Sequence, residues 1–122
     1  MGRKLLIIDD DSKNIFALTA TLKSKGFQTV SATAARDGID MMGKDNEISL
    51  VLMDMMMPEM DGYEAIQLMK ADDRFKNIPV IAVTAQAMKG DKEKCLAAGA
   101  DNYISKPVDV DALLLMLNDY LK

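Results

Sequence analysis

Leu50-Val51-Leu52-Met53-Asp54-Met55-Met56-Met57-Pro58-Glu59-Met60-Asp61-Gly62 decides how this chain is read. Its opening apolar run is unbroken until a single acid, Asp54. A run so short and continuous fits a strand covered on both faces of a parallel sheet. Asp54 then stands at the C-terminal end of that strand, the edge where open α/β sheets build their ligand sites. Pro58 stiffens the following loop, and Asp61-Gly62 opens a helix, with Glu64 placed to complete a capping box. A carboxylate at the margin of a core is costly unless a cation or a proton accompanies it.

Outward from this stretch, strand alternates with helix five times. Leu5-Leu6-Ile7-Ile8 is an apolar strand ending in Asp9-Asp10-Asp11. Asp11 or Ser12 caps a helix with Ile15, Leu18 and Leu22 at helical spacing, and Gly26 ends it in a left-handed turn. Residues 27–31 form a less apolar strand, expected at an edge. A helix from about Ala34 turns Ala35, Ile39 and Met42 to one side, with Gly38 weakening it. The central strand at residues 48–53 follows, then a helix facing Ile66 and Met69 inward. Residues 79–83 make another buried strand, ending at Thr84. A helix from about Met88 has mainly Cys95 and Leu96 as its apolar face. A short strand at Tyr103-Ile104 leads to Ser105-Lys106-Pro107 and a last helix over residues 109–121. This pattern predicts an α/β, doubly wound, five-stranded parallel sheet with helices on both faces, as one domain over residues 1–122.

Composition narrows the chemistry. The 122 residues suit one domain with a sizeable core. Lys+Arg 15 against Asp+Glu 19 gives a net charge of -4, which argues against direct nucleic-acid binding. One cysteine, Cys95, precludes an internal disulfide and suits a reducing compartment. The N-terminus has no signal-peptide pattern, and no run approaches the roughly 20 apolar residues of a membrane helix. The expected location is cytoplasmic, with no membrane insertion. The histidine count of 0 excludes Ser-His-Asp catalysis and His-ligated zinc. Most of the 11 Met are core filler.

Four strand ends carry polar groups: Asp9-Asp10, Asp54, Thr84 and Lys106. Parallel strands bring these ends to one edge. Three carboxylates gathered there call for a hard divalent ion, Mg²⁺, with Mn²⁺ as a substitute. Asp54 as nucleophile, with Lys106 and Thr84 positioned for phosphoryl oxygens, makes a phosphoryl-transfer constellation. Taken singly, each feature is commonplace. Acids at a strand end cap helices and complement their dipoles, and a lone Thr or Lys is usually loop or solvent chemistry. Their joint placement at successive strand ends is what is specific.

On those residues the chain resembles the response-regulator receiver domains of two-component and phosphorelay signalling, along essentially its whole length. The resemblance rests on Asp9-Asp10, Asp54 with Met57-Pro58 and Asp61-Gly62, Thr84-Ala85, and Lys106-Pro107. It implies the flavodoxin-like strand order 2-1-3-4-5, an order for which chemotaxis receivers are a standard example. It implies that Asp54 accepts a phosphoryl group from a histidine kinase or a histidine phosphotransfer protein. Asp9, Asp10, Asp54 and the backbone carbonyl of Met56 would hold Mg²⁺. Thr84 and Tyr103 would be the switch pair, and the Lys106-Pro107 bond would be cis. The downstream surface would be the face of residues 88–96, Tyr103 and residues 109–121, on a monomer or a phosphorylation-dependent dimer. Met56 and Gln86 depart from familiar members at positions that bear on phosphoryl lifetime.

Such a domain catalyses its own phosphorylation and dephosphorylation without being a conventional turnover enzyme. Two other readings compete. A haloacid-dehalogenase-like phosphohydrolase also uses an aspartyl phosphate, but Lys13 stands where Thr or Val is expected, and the chain leaves no room for a cap domain. An interaction module independent of phosphorylation would not need the full set of Asp9, Asp10, Asp54, Thr84 and Lys106.

Overall fold

The structure, a computed structural model, describes residues 4–55, 62–84, 91–106 and 108–121. Among these described residues five strands and five helices alternate: β1 (Lys4–Ile8), α1 (Ser12–Ser24), β2 (Gln28–Ala32), α2 (Ala35–Lys44), β3 (Ile48–Asp54), α3 (Gly62–Ala71), β4 (Val80–Thr84), α4 (Asp91–Ala98), β5 (Asn102–Ser105) and α5 (Val110–Tyr120). All strand pairs are parallel, in the order β2-β1-β3-β4-β5. The least apolar long strand, β2, lies at an edge, as its composition predicts. Among the described residues no helix is long and apolar enough to cross a membrane.

The continuous apolar runs are explained by two cores, one on each face of the sheet. Leu5, Ile7, Leu50, Leu52, Ile81 and Val83 join Leu22 of α1 and Leu113 and Leu117 of α5. The alternate residues Leu6, Ile8, Val51, Met53, Val80 and Ala82 join Met42 of α2, Ile66 and Met69 of α3 and Cys95 of α4. Burial of each large aliphatic side chain contributes about 1.5–3 kcal/mol. This double coverage fixes the register of β3, and so the placement of Asp54 at its end.

Several local expectations are refined. Asp11 is the cap of α1, accepting from the Lys13 amide at 2.9 Å. Gly26 has φ 93°, the left-handed turn expected after that helix. Gly38 is buried rather than merely a weak point, because a Cβ there would meet the Ile8 side chain. In α4 the buried pair is Cys95 and Ala98, not Cys95 and Leu96, since Leu96 is 41% exposed. Neighbouring residues on a helix diverge by about 100°, so one face cannot hold both 95 and 96. Met56, Asp61, Gln86, Met88 and Pro107 lie outside the described residues, and with them the Met56 ligand, the helix start near Met88 and the Lys106-Pro107 bond.

At the opposite edge from Asp54, the Lys4 ammonium donates to Asp45 at 2.6 Å, tying the start of β1 to the end of α2. That hydrogen bond holds the Asp45 carboxyl below its ordinary 3.8, and the Asp45 partner raises Lys4 above its ordinary 10.5. A depressed carboxyl contributes stability above its unfolded pKa and loses it as pH falls through the folded value. A raised ammonium contributes below its unfolded pKa and loses it as pH rises through the folded value. Asp45→Asn is therefore expected to lower Tm at pH 6, with the deficit shrinking as pH falls below about 3.8. An equal deficit at pH 6 and pH 2 would contradict this coupling.

Candidate active site

The residues predicted from strand ends converge on the C-terminal edge of the sheet. Asp9 continues the β1 ladder, donating its amide to the Ala32 carbonyl at 3.1 Å. Its carboxylate accepts from the Asp11 amide at 2.9 Å and from the Lys106 ammonium at 3.3 Å. Asp54 closes β3 and is 2% exposed, with its Oδ1 3.6 Å from Lys106 Nζ. Lys106 continues β5, its amide bonded to the Thr84 carbonyl at 2.7 Å. That ladder bond aims the half-buried ammonium at both acids. Asp10 is exposed at the mouth.

The carboxylate oxygens of Asp9, Asp10 and Asp54 lie within 4.8 Å of one another. Like charges at this spacing repel, and Lys106 is the one ammonium among the described residues that bridges two of the acids. The donors are all hard oxygens, two buried and one open to solvent. The set therefore fits a Mg²⁺-type ion that retains water ligands, and lacks the sulfur or nitrogen donors of softer metals.

Thr84 closes β4 and is 3% exposed, yet its hydroxyl Oγ1 has no hydrogen-bond partner among the described residues. Leaving a buried hydroxyl unsatisfied costs about 1–3 kcal/mol. A group arriving at the strand ends could recover that cost. Tyr103 pairs with Ala82, two residues before Thr84 on β4, so the alternation of the strands puts Tyr103 and Thr84 on the same face of the sheet. Tyr103 is half-buried against the core on that face.

A family model described as "Response regulator receiver domain" matches residues 5–118. The chain belongs to the response regulator receiver domain family. The receiver is 34% identical over 121 residues to the polar-differentiation response regulator DivK of Brucella anthropi, covering 99% of this chain and 98% of the relative. Its fold is similar to that of the receiver domain of a sensor histidine kinase from Pseudomonas aeruginosa, solved with a magnesium ion coordinated in the active site cleft. That match has a TM-score of 0.89 and 29% identity, covering 99% of this chain and 98% of the other. The receiver domain of a Francisella response regulator matches with a TM-score of 0.89 and 26% identity, over 98% and 96% of the two chains.

The receiver's site is bordered by residues other than those at the strand ends. Asn14 and Thr21 of α1 line a cavity of about 210 Å³ together with Asp9, Lys106, Val83 and Val108. Their spacing of seven on one helix face was the available signal. Nothing in their residue types separates them from ordinary half-exposed helix positions.

Proposed function

We propose that this receiver takes a phosphoryl group from a phosphohistidine donor onto Asp54, and that the phosphorylated form switches a protein-interaction surface. The observation that carries this reading is the buried Asp54 carboxylate, gathered with Asp9 and Asp10 and faced by Lys106 at 3.6 Å. In the transfer, an Asp54 carboxylate oxygen forms the new P–O bond as the donor's P–N bond breaks. The electron pair of that bond stays with the imidazole nitrogen of a histidine kinase or phosphotransfer protein. Lys106 releases part of its contact with Asp9 and Asp54 to pair with a phosphoryl oxygen, and the Thr84 hydroxyl, without a partner among the described residues, donates to another. Asp9, Asp10 and Asp54, with the Met56 carbonyl, would hold Mg²⁺, which when bound neutralises phosphoryl charge. Hydrolysis of the acyl phosphate by water returns Asp54 and inorganic phosphate.

The output face in this reading is α4, Tyr103 and α5. Leu115 on α5 is 69% exposed, while Leu113 and Leu117 fill the core, so α5 carries apolar surface beyond its buried stripe. The whole of residues 1–122 would act as one receiver domain, in the cytoplasm, without direct contact with nucleic acid. With acetyl phosphate and Mg²⁺, the protein is expected to accumulate one hydroxylamine-labile phosphoryl group, and chelation of the metal should abolish labelling. Sustained release of phosphate over many turnovers would favour a phosphohydrolase instead. Labelling undiminished by chelator would remove the metal from the account.

A further inference from the structure

We infer that Asp101 is a positioning residue for the proposed transfer: it fixes the register of β5 on β4 and so delivers Lys106 to Asp9 and Asp54. The inference rests on the phosphoacceptor reading above and deepens it. Lys106 reaches the acids from the end of β5, which has four residues, one of them fully buried, Ile104. This strand lies at an edge of the sheet and pairs with β4 alone. Burial therefore specifies its register weakly. The Lys106 ammonium is aimed through the bond from the Lys106 amide to the Thr84 carbonyl, so a slip along β4 would carry it away from both carboxylates.

The contacts that do fix the register stand at the other end of the strand. Asp101, five residues before Lys106, holds both backbone groups of the buried Val80. Its amide donates to the Val80 carbonyl at 2.8 Å, and its carboxylate Oδ2 accepts from the Val80 amide at 2.8 Å. Any shift of β5 along β4 breaks both bonds at once. The carboxylate is itself held in place. Lys70 Nζ donates to the same Oδ2 at 2.8 Å, to the Ile78 carbonyl at 3.0 Å and to the Lys76 carbonyl at 3.3 Å, which ties Asp101 to α3 and to the approach to β4. The Tyr120 hydroxyl of α5 donates to the Asp101 carbonyl at 3.0 Å. As a part-exposed ion pair, Lys70–Asp101 contributes little by itself; its use here is to orient the oxygen that Val80 binds. The Lys4–Asp45 pair, at the same edge of the sheet, is the contrast. There β1 has a strand on each side and four buried residues, so its register stands without the ion pair.

The test reads Mg²⁺ affinity by calorimetric titration and the rate of labelling by acetyl phosphate. Asp101→Ala should slow labelling about ten-fold, within the range that a misplacement of about 1 Å costs. It should also tighten Mg²⁺ binding about two- to three-fold, because Lys106 withdraws from the acids. Loss of a distant negative charge alone would weaken Mg²⁺ binding, so the sign separates the two causes. Asp101→Asn keeps an oxygen for the Val80 amide and should stay within about two-fold of wild type in both readouts. Lys70→Met should follow Asp101→Ala by a smaller factor, and it carries the test if Asp101→Ala does not fold. Asp45→Asn should lower Tm and move neither readout. In a Lys106→Met background, Asp101→Ala should change neither readout further, although residues roughly 16 Å apart along a strand ordinarily act additively. Additive effects in that double variant would overturn the inference, as would unchanged affinity and rate in Asp101→Ala and Lys70→Met, or an Asp101→Asn as slow as Asp101→Ala. Failure of the wild-type chain to label would overturn the phosphoacceptor reading instead, and the Mg²⁺ titrations would still decide whether Asp101 places Lys106.

Discussion

Lys106→Met is expected to slow phosphoryl transfer to Asp54 by roughly 10²- to 10³-fold while tightening Mg²⁺ binding, two effects of opposite sign. Lys106 Nζ stands 3.3 Å from Asp9 and 3.6 Å from Asp54, so in the resting site it offsets the repulsion among the acids. Without it the cluster is more negative and attracts a divalent cation more strongly. The phosphoryl group in transit, however, loses the cation that would pair with its oxygen. Methionine keeps most of the apolar stem, which limits the change in packing. Calorimetric titration with Mg²⁺ and the rate of labelling by acetyl phosphate read the two effects separately. A residue serving only to hold the fold would weaken both, and weaker metal binding with an unchanged rate would remove Lys106 from the chemistry.

Gly62→Ala is expected to cost about 1–3 kcal/mol, the usual cost of forcing a methyl group into packed surroundings. That corresponds to a Tm lower by roughly 4–12 °C for a domain of this size. The new methyl would meet backbone, Met55 Cα at 2.7 Å and the Asp54 carbonyl at 3.0 Å, so relief requires the end of β3 or the start of α3 to move. Labelling of Asp54 should fall together with stability, because the proposed nucleophile is itself displaced. Gly38→Ala is the informative contrast. Its methyl meets the Ile8 side chain rather than backbone, and alanine in mid-helix recovers about 1 kcal/mol of propensity. It should cost less than Gly62→Ala. Equal losses in Tm from the two variants would contradict the backbone-contact argument.

These two glycines also show where the sequence stops being legible. In the sequence Gly38 is only a poor helix former, because nothing local announces that Ile8 lies against it. The buried strands were legible because double coverage leaves continuous apolar runs, as in Leu50 to Met53. Their ends were less so. Lys4, Asn102 and Ser105 join strands through backbone ladder bonds to neighbours, to which their polar side chains give no clue. The convergence of Asp9, Asp54, Thr84 and Lys106 was legible because each ends or follows a strand and parallel strands share an edge. The Lys94 ammonium of α4 lies 5.3 Å from the centre of the Tyr63 ring of α3, and helical periodicity carries no information about such a contact. Asp101 is a similar case: it accepts from Lys70 Nζ and from the Val80 amide, both at 2.8 Å, while its carbonyl accepts from the Tyr120 hydroxyl. From sequence alone it is one more acid in a turn.

The central claim is that Asp54 is the group that becomes phosphorylated, and locating the phosphoryl group tests it most directly. After labelling with acetyl phosphate and Mg²⁺, borohydride reduction converts an aspartyl phosphate to homoserine, which peptide mass spectrometry places in the chain. The account predicts homoserine at position 54 alone, and no labelling in Asp54→Ala. Homoserine at Asp9 or Asp10, or full labelling of folded Asp54→Ala, would contradict it.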